Sequence, residues 1–339
     1  MQDASISPNV LAVRFSSIGD VLLTTPLLRA IRLRHSDARV TVLTKPGYVP
    51  LLSHNPHVSQ VLEAAPDRPL RFLARQLRAG RYTHLLDLHD SLRSRLLRAM
   101  VPGAWGTYPK HRLARAALIY TKRDYYRDRR PVAERYFDAA RALDVTPDGQ
   151  RPDFFLSPDS ERETDTWLAR SRLGQGRVIA LAPGAAHATK RWPVEHWRWL
   201  AGRLLEQDLS IAIVGGTDDV ILGDALVNGA PGRIANAAGR FGLQGTGALL
   251  RRAAALVSGD TGVMHMAVAV GTPVVALFGP TVRRFGFFPY TSRADVIELG
   301  LPCRPCSSKG GPRCPLGHHR CMVDIAPDAV LASVVRGIR

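Results

Sequence analysis

Short apolar runs alternate with amphipathic stretches along most of the chain. Val10-Leu-Ala-Val-Arg-Phe15 is one such run and predicts a buried strand, and Asp20 to His35 then sets Leu23, Leu27, Leu28 and Ile31 at helical spacing. Val40 to Leu43 and Thr83 to Leu88 predict two further strands. A polar stretch from Gln150 to Gly176, with Pro152, Pro158, Gly174 and Gly176, interrupts the pattern and predicts a domain boundary. The pattern then restarts. Val178-Ile-Ala-Leu-Ala182 reads as a strand, Val194 to Leu205 as a helix, and Ile211 to Val214, Ala254 to Val257 and Val274 to Phe278 as further strands.

Strands alternating with helices of this length predict parallel βαβ units. The expected fold class is therefore α/β, with two Rossmann-like doubly wound domains. Residues 1–160 form the first and 161–322 the second, and 323–339 are a terminal helix that is a candidate to cross back onto the first domain. In such sheets the ligand cleft lies at the carboxyl ends of the strands. Glycines punctuate those ends in the second half, at Pro183-Gly184, Gly215-Gly216, Gly259 and Gly279-Pro280.

Length supports the division, since 339 residues exceed what one ordinary core organises. With 45% apolar and 22% charged residues the composition is that of a globular protein. No apolar run approaches the roughly 20 residues that span a bilayer. The start, Met1 to Pro8, lacks a basic-then-apolar leader pattern, so a cytoplasmic protein is expected.

Charge adds a partner. The net charge is +17, and 17 Lys/Arg stand against 5 Asp/Glu between Arg68 and Arg135. Such an excess fits a nucleic acid, a phosphorylated substrate or an anionic membrane surface; it also fits solvated helix faces. A nucleic-acid partner is not expected, because no recognition motif is present and aromatics are not interleaved with the basic residues.

Candidate chemistry sits at the predicted strand ends. In Phe15-Ser-Ser-Ile-Gly-Asp20, Gly19 permits a tight turn and Asp20 falls at the start of a helix. Asp20 is either a helix cap, worth about 1 kcal/mol, or a carboxylate placed as a general base. Val257-Ser-Gly-Asp-Thr-Gly-Val-Met-His-Met266 reads as strand, glycine turn and helix. Amides at such a helix start bind phosphate; Thr261 adds a hydroxyl, and His265 lies one turn further on as a ligand or a core histidine. Pro193 opens the next predicted helix and leaves Lys190 on the loop before it, where it reaches a pyrophosphate or only solvent. Trp192 and Trp197 read as packing residues. Gly184, Gly279, Thr281 and Asp218 with Asp219 are further nucleotide-binding candidates, with turns and helix caps as the alternatives.

All four cysteines lie close together, as Cys303-Arg-Pro-Cys306, Cys314 and Cys321, with His318 and His319 between the last two. The spacing suggests a structural zinc site or a loop of free or disulfide-bonded thiols.

Ser17-Ile-Gly-Asp-Val-Leu-Leu-Thr-Thr-Pro26, Lys190-Arg-Trp-Pro193 with Glu195-His-Trp197, Asp260-Thr-Gly262 with His265, and Phe278-Gly-Pro-Thr281 occur in order along the chain. Together they resemble the heptosyltransferase family, which transfers heptose from ADP-heptose to the lipopolysaccharide inner core. The resemblance implies an inverting GT-B glycosyltransferase that needs no cofactor or metal for its chemistry. It implies Asp20 as the base on the acceptor hydroxyl. Lys190, Thr261 and Gly262 would stabilise the leaving diphosphate, and Asp260 and His265 would shape the donor pocket. It implies a nucleotide sugar as donor and an anionic lipid-linked oligosaccharide as acceptor, ending in Kdo or heptose. The enzyme is then expected as a monomer, peripheral at the inner face of the cytoplasmic membrane. A different nucleotide sugar or cell-surface glycan is the alternative within the same chemistry.

Overall fold

The computed structural model describes residues 7–171, 173, 176–228 and 232–338. Residues 1–6 of the predicted polar start, and Gly174 of the predicted boundary, lie outside them. The chain forms two compact units: the described residues up to Lys110 with Arg130–Phe155, and His111–Arg129 with the described residues from Leu156 onward.

The first unit holds five parallel strands, β1 (Asn9–Val13), β2 (Arg39–Thr44), β3 (Gln60–Glu63), β4 (His84–Asp87) and β5 (Trp105–Thr107), in the order β3-β2-β1-β4-β5. Val10, Leu11, Val13, Val40 and Leu43 are fully buried in its centre. Helices on both faces of a parallel sheet bury its central strands completely, which is why these read as continuous apolar runs. The single helix predicted from Asp20 to His35 is two, Ile18–Leu22 and Thr25–Arg34. Pro26 explains the break: it has no N–H to donate backwards and suits a first helical turn. At the break the carbonyls of Val21 and Leu22 accept the hydroxyls of Thr24 and Thr25, both at 2.7 Å.

The second unit holds six parallel strands, β6 (Val178–Ala182), β7 (Ser210–Ile213), β8 (Ile234–Asn236), β9 (Ala255–Gly259), β10 (Val274–Phe278) and β11 (Ala294–Glu298), in the order β11-β10-β9-β6-β7-β8. Its core gathers Ile179, Leu181, Trp197, Leu200, Ile211 and Val257. Trp192 and Trp197 pack edge to face at 5.1 Å inside it, which is the packing role expected of them.

Two segments lie elsewhere than expected. The terminal helix, Pro327–Gly337, stays with the second unit, because its apolar stripe, Val330 and Val334, is fully buried in that unit's core. The stretch His111–Arg129 also belongs there. Leu118 and Tyr126 form a small core with Phe285, Asp124 pairs with Arg284 at 2.5 Å, and Lys122 Nζ donates to the carbonyls of Cys303 and Pro305 at 3.0 and 2.6 Å.

Each sheet has one point where the strand order reverses. In the first it lies between β1 and β4, and in the second between β6 and β9. Chain leaves the two strands of such a pair in opposite directions and opens a crevice at their carboxyl ends. The residues following β1, β4, β6 and β9 are thus the candidate ligand-binding positions.

Candidate active site

The crevice of the first unit is built by Arg14 to Asp20, after β1, and Leu88 to Asp90, after β4. Asp20 lies in the first turn of helix Ile18–Leu22, and Ser17 is the residue that caps it. Asp20 Oδ2 accepts the Ser17 amide at 3.1 Å and the Ser17 hydroxyl at 2.8 Å. Asp20 Oδ1 pairs with the Arg14 guanidinium, with side-chain exposures of 18% and 6%. Asp20 is therefore not the cap itself: it closes the capping box from the third helical position and turns its other oxygen to Arg14.

Arg14 is itself held on every side. It donates to the carbonyls of Ser16 and Leu88 and to the Tyr108 hydroxyl, and its guanidinium lies 5.7 Å from the Tyr136 ring centroid. Burial works to raise the Asp20 pKa, but Arg14 and the Ser17 donors outweigh it and hold the carboxyl below its usual range. The same balance raises Arg14, with burial opposing and Asp20 favouring its charge.

His89 stands beside this pair, its ring edge-on to Phe15 at 5.1 Å. The buried carboxylate of Asp87 accepts the amides of His89 and Asp90 at 3.0 and 2.8 Å and so shapes the turn that carries it. Burial first, then Arg14 and Lys110, push the His89 pKa down to about 4, so the ring is neutral at pH 7.

The crevice of the second unit is built by the loop after β6 and the turn after β9. A short turn, Ala188–Lys190, precedes the helix Val194–Leu205. Lys190 Nζ reaches Asp260 Oδ2 at 2.6 Å and the Asp260 carbonyl at 3.0 Å, with side-chain exposures of 13% and 10%. The Thr281 hydroxyl donates to the same Oδ2 at 2.7 Å. Gly262 opens the helix Gly262–Val270 with Thr261 as its cap residue, and the Thr261 hydroxyl meets that of Ser258 at 3.0 Å. His265 is buried in the same helix. The structure thus brings Lys190, Asp260, Thr261, Gly262 and Thr281 together around one helix N-terminus, where amides and dipole favour an anion.

Gly184 lies beside that loop, against Asp219: a Cβ on Gly184 would stand 1.8 Å from Asp219 Oδ1. Asp219 Oδ2 accepts the Gly216 amide at 2.9 Å, whereas Asp218 is exposed on the same turn. Of the two acids it is Asp219 that meets the glycine cradle. Gly279 sits where a Cβ would meet Met322 Sδ at 2.6 Å, so the chain after β10 passes close to the C-terminal segment.

Of the two readings of the cysteines, the zinc site is not shown. Cys303, Cys306, Cys314 and Cys321 are free, and among the described residues no group of three or more His, Cys, Asp or Glu side chains is placed to hold a metal ion. Cys321 is buried behind Gly279 in the short helix Arg320–Val323, while the other three are partly exposed. Burial, then the neighbouring thiols, raise Cys306 and push Cys321 up to about 11, so both stay protonated at pH 7.

The basic segment is also redistributed. Arg78, Arg95, Arg98, Lys110, Arg130 and Arg135 are engaged in internal hydrogen bonds or ion pairs. The residues from Arg112 to Arg129 belong to the second unit. On the first unit, Arg71 and Arg75 stay exposed on helix Leu70–Ala79, and the exposed apolar side chains Phe72, Leu92 and Leu96 stand on that helix and on Leu92–Met100. No helix among the described residues is long and apolar enough to cross a membrane.

Residues 70–315 match the model of glycosyltransferase family 9 (heptosyltransferase). The chain belongs to that family. It is 26% identical to lipooligosaccharide heptosyltransferase 2 of Haemophilus influenzae, over 95% of this chain and 97% of that one. In structure it is similar to a glycosyltransferase of family 9 from Veillonella parvula, with a TM-score of 0.82 and 21% identity over 98% and 97% of the two chains. It is also similar to Escherichia coli ADP-heptose LPS heptosyltransferase II, with a TM-score of 0.74 and 24% identity over 97% and 98%. The fold is accordingly the two-Rossmann GT-B fold, and the chain is a glycosyltransferase.

Sequence reasoning passed over several residues that lie at or beneath these crevices: Arg14, His89, Thr189 and Arg304. Arg14 carried a signal, as a charge inside an otherwise buried apolar run. The other three sit in loops or a short turn, where side-chain direction depends on contacts remote in sequence.

Proposed function

We propose that the chain is an inverting heptosyltransferase that moves heptose from ADP-heptose onto the lipopolysaccharide inner core. The observation that carries this reading is the network of Lys190, Asp260 and Thr281 at the start of helix Gly262–Val270. Departure of a nucleotide diphosphate develops negative charge on the leaving oxygen. A cation and fixed amides already in place stabilise that charge without reorganising.

In this reading Lys190, Thr261 and Gly262 serve the diphosphate, Asp260 and His265 shape the pocket around it, and Gly184, Gly279 and Asp219 line the nucleotide end. Asp20 is the base that takes the proton of the acceptor hydroxyl. Its low pKa keeps it ionised, and Ser17 and Arg14 fix its direction. The donor assignment is supported by relatives named for ADP-heptose and for lipopolysaccharide or lipooligosaccharide. The exposed Arg71 and Arg75 beside Phe72, Leu92 and Leu96 suit an anionic amphiphile, either the acceptor or the membrane that holds it.

The test is a thermal-shift screen with ADP-, UDP- and GDP-sugars. ADP-heptose is expected to raise the melting temperature above any UDP or GDP compound. Selective stabilisation by a UDP or GDP sugar would sink the donor assignment.

A further inference from the structure

The segment from Leu299 to Ile325 carries all four cysteines and contributes none of the groups assigned above. It touches the diphosphate network from two sides. On the first side lies Thr189, next to Lys190 and only 4% exposed. The Thr189 amide and hydroxyl both donate to the Gly311 carbonyl at 3.1 Å, and the hydroxyl accepts the Gly311 amide at 2.8 Å. The His319 ring donates from Nε2 to the Thr189 carbonyl at 2.9 Å. Gly310 takes φ +95, and a Cβ there would stand 2.9 Å from His187 Cβ and 3.2 Å from Thr189 Oγ1. Only glycine allows both that backbone and that approach. A second tie follows at once, from Trp192 Nε1 to the Ile325 carbonyl at 3.1 Å.

On the other side lies Arg304, whose side chain is 6% exposed. It donates to the carbonyls of Gly279 and Leu299, to the Thr281 carbonyl at 2.9 Å and to Glu298 at 2.6 Å. Thr281 in turn donates to Asp260, the partner of Lys190. One segment therefore fixes the backbone under Lys190 and the backbone under Thr281.

Lysine is a point charge on a flexible stem, so the place of its backbone decides where the charge can reach. We propose that Thr189 and Arg304 are positioning residues for the donor diphosphate. Through them the cysteine-bearing segment holds the Lys190 turn and the Thr281 turn at one spacing. This rests on the reading that Lys190 serves the diphosphate, and Lys190→Met tests that premise separately.

The experiment compares Lys190→Met, Thr189→Val, Thr189→Ser and Arg304→Lys with the parent chain. It measures kcat, donor KM, and the affinities for ADP and AMP, with melting temperature as a check of folding. A small misplacement of a reacting geometry lowers rate up to about 100-fold, so Thr189→Val is expected to reduce kcat roughly 10- to 100-fold. ADP affinity should fall while AMP affinity stays within about twofold, since only the second phosphate loses its partner. Thr189→Ser keeps the hydroxyl and is expected to restore both. Folded Thr189→Val with unchanged kcat and ADP affinity, beside an impaired Lys190→Met, overturns the positioning role and leaves the donor reading intact. Equal losses for ADP and AMP, or no rescue by Thr189→Ser, make Thr189 merely structural and also overturn it. An unimpaired Lys190→Met removes the premise. If Thr189→Val does not fold, Arg304→Lys carries the same readouts.

Discussion

Arg14 and Asp20 form a buried ion pair at the carboxyl edge of β1, and neither charge is free to turn. Arg14 is anchored by carbonyls of two different loops, Ser16 and Leu88. Asp20 spends one oxygen on Arg14 and the other on Ser17. The carboxylate is therefore aimed and ionised at the expense of basicity, a balance that suits a base acting on a hydroxyl whose proton leaves late.

If Asp20 takes that proton, Asp20→Asn is expected to lower kcat by roughly 10²- to 10⁴-fold, the usual range for a positioned acid–base group. ADP affinity should stay within about threefold, because Asn keeps the shape and loses only the charge. Transfer that survives in Asp20→Asn with donor binding intact would remove Asp20 from the mechanism.

Arg14→Met separates aim from charge. With the cation gone, burial is opposed only by the Ser17 donors and the Asp20 pKa rises, so the acid limb of the kcat/KM profile should move to higher pH. An unchanged limb would mean that Arg14 does not set the charge state of the working group.

His89 gives a signature in stability. Its folded pKa is about 4, below the ordinary value of 6.5. Between those values the unfolded chain binds the proton and the folded chain does not, so stability falls as pH drops from about 6.5 towards 4. His89→Gln should flatten this part of the curve of unfolding free energy against pH. An unaltered slope would show that His89 titrates normally in the fold.

The central strands were legible because they are buried on both sides. β6 and β10 match the predicted runs to the residue, and β1, β2, β4, β7 and β9 differ only at their ends. The strands without a sequence signal, β3, β5, β8 and β11, are the four sheet edges. Their residues are partly exposed, as at Gln60, Thr107 and Asp295, so no apolar run marks them. The site divides in the same way. Lys190, Asp260, Thr261 and Gly262 follow strands or precede a helix, where spacing locates them. The contacts beside them, from Gly311 and His319 to Thr189 and from Arg304 to Thr281, come from residues remote in sequence, and local spacing carries no trace of them.

The glycine after β6 is a sharper probe of the nucleotide end than any side chain there. Gly184→Ala drives a methyl into Asp219, which is pinned on the Gly216 amide. Displacing that carboxylate removes a helix-start hydrogen bond worth about 1 kcal/mol. A modest fall in melting temperature and a weaker ADP affinity are expected together. Unchanged ADP affinity in calorimetry would place the nucleotide away from the cradle of Gly184 and Asp219.

Lys190 and Asp260 are largely buried, so removing one leaves the other uncompensated. Asp260→Asn is expected to destabilise the fold by about 3 kcal/mol, in the range for breaking a buried pair. Lys190→Met should recover part of that loss in the double variant, because no unpaired ammonium then remains. A double-mutant cycle by denaturant unfolding is expected to give a coupling of about 1–3 kcal/mol. Thr281→Val adds a third arm: its hydroxyl serves only Asp260 Oδ2 among the hydrogen bonds described, so its effect should vanish in an Asp260→Ala background, which leaves no acceptor. Strict additivity of Lys190→Met and Asp260→Asn would show that the two charges act independently. The donor end would then lack the preorganised network on which the proposed function rests.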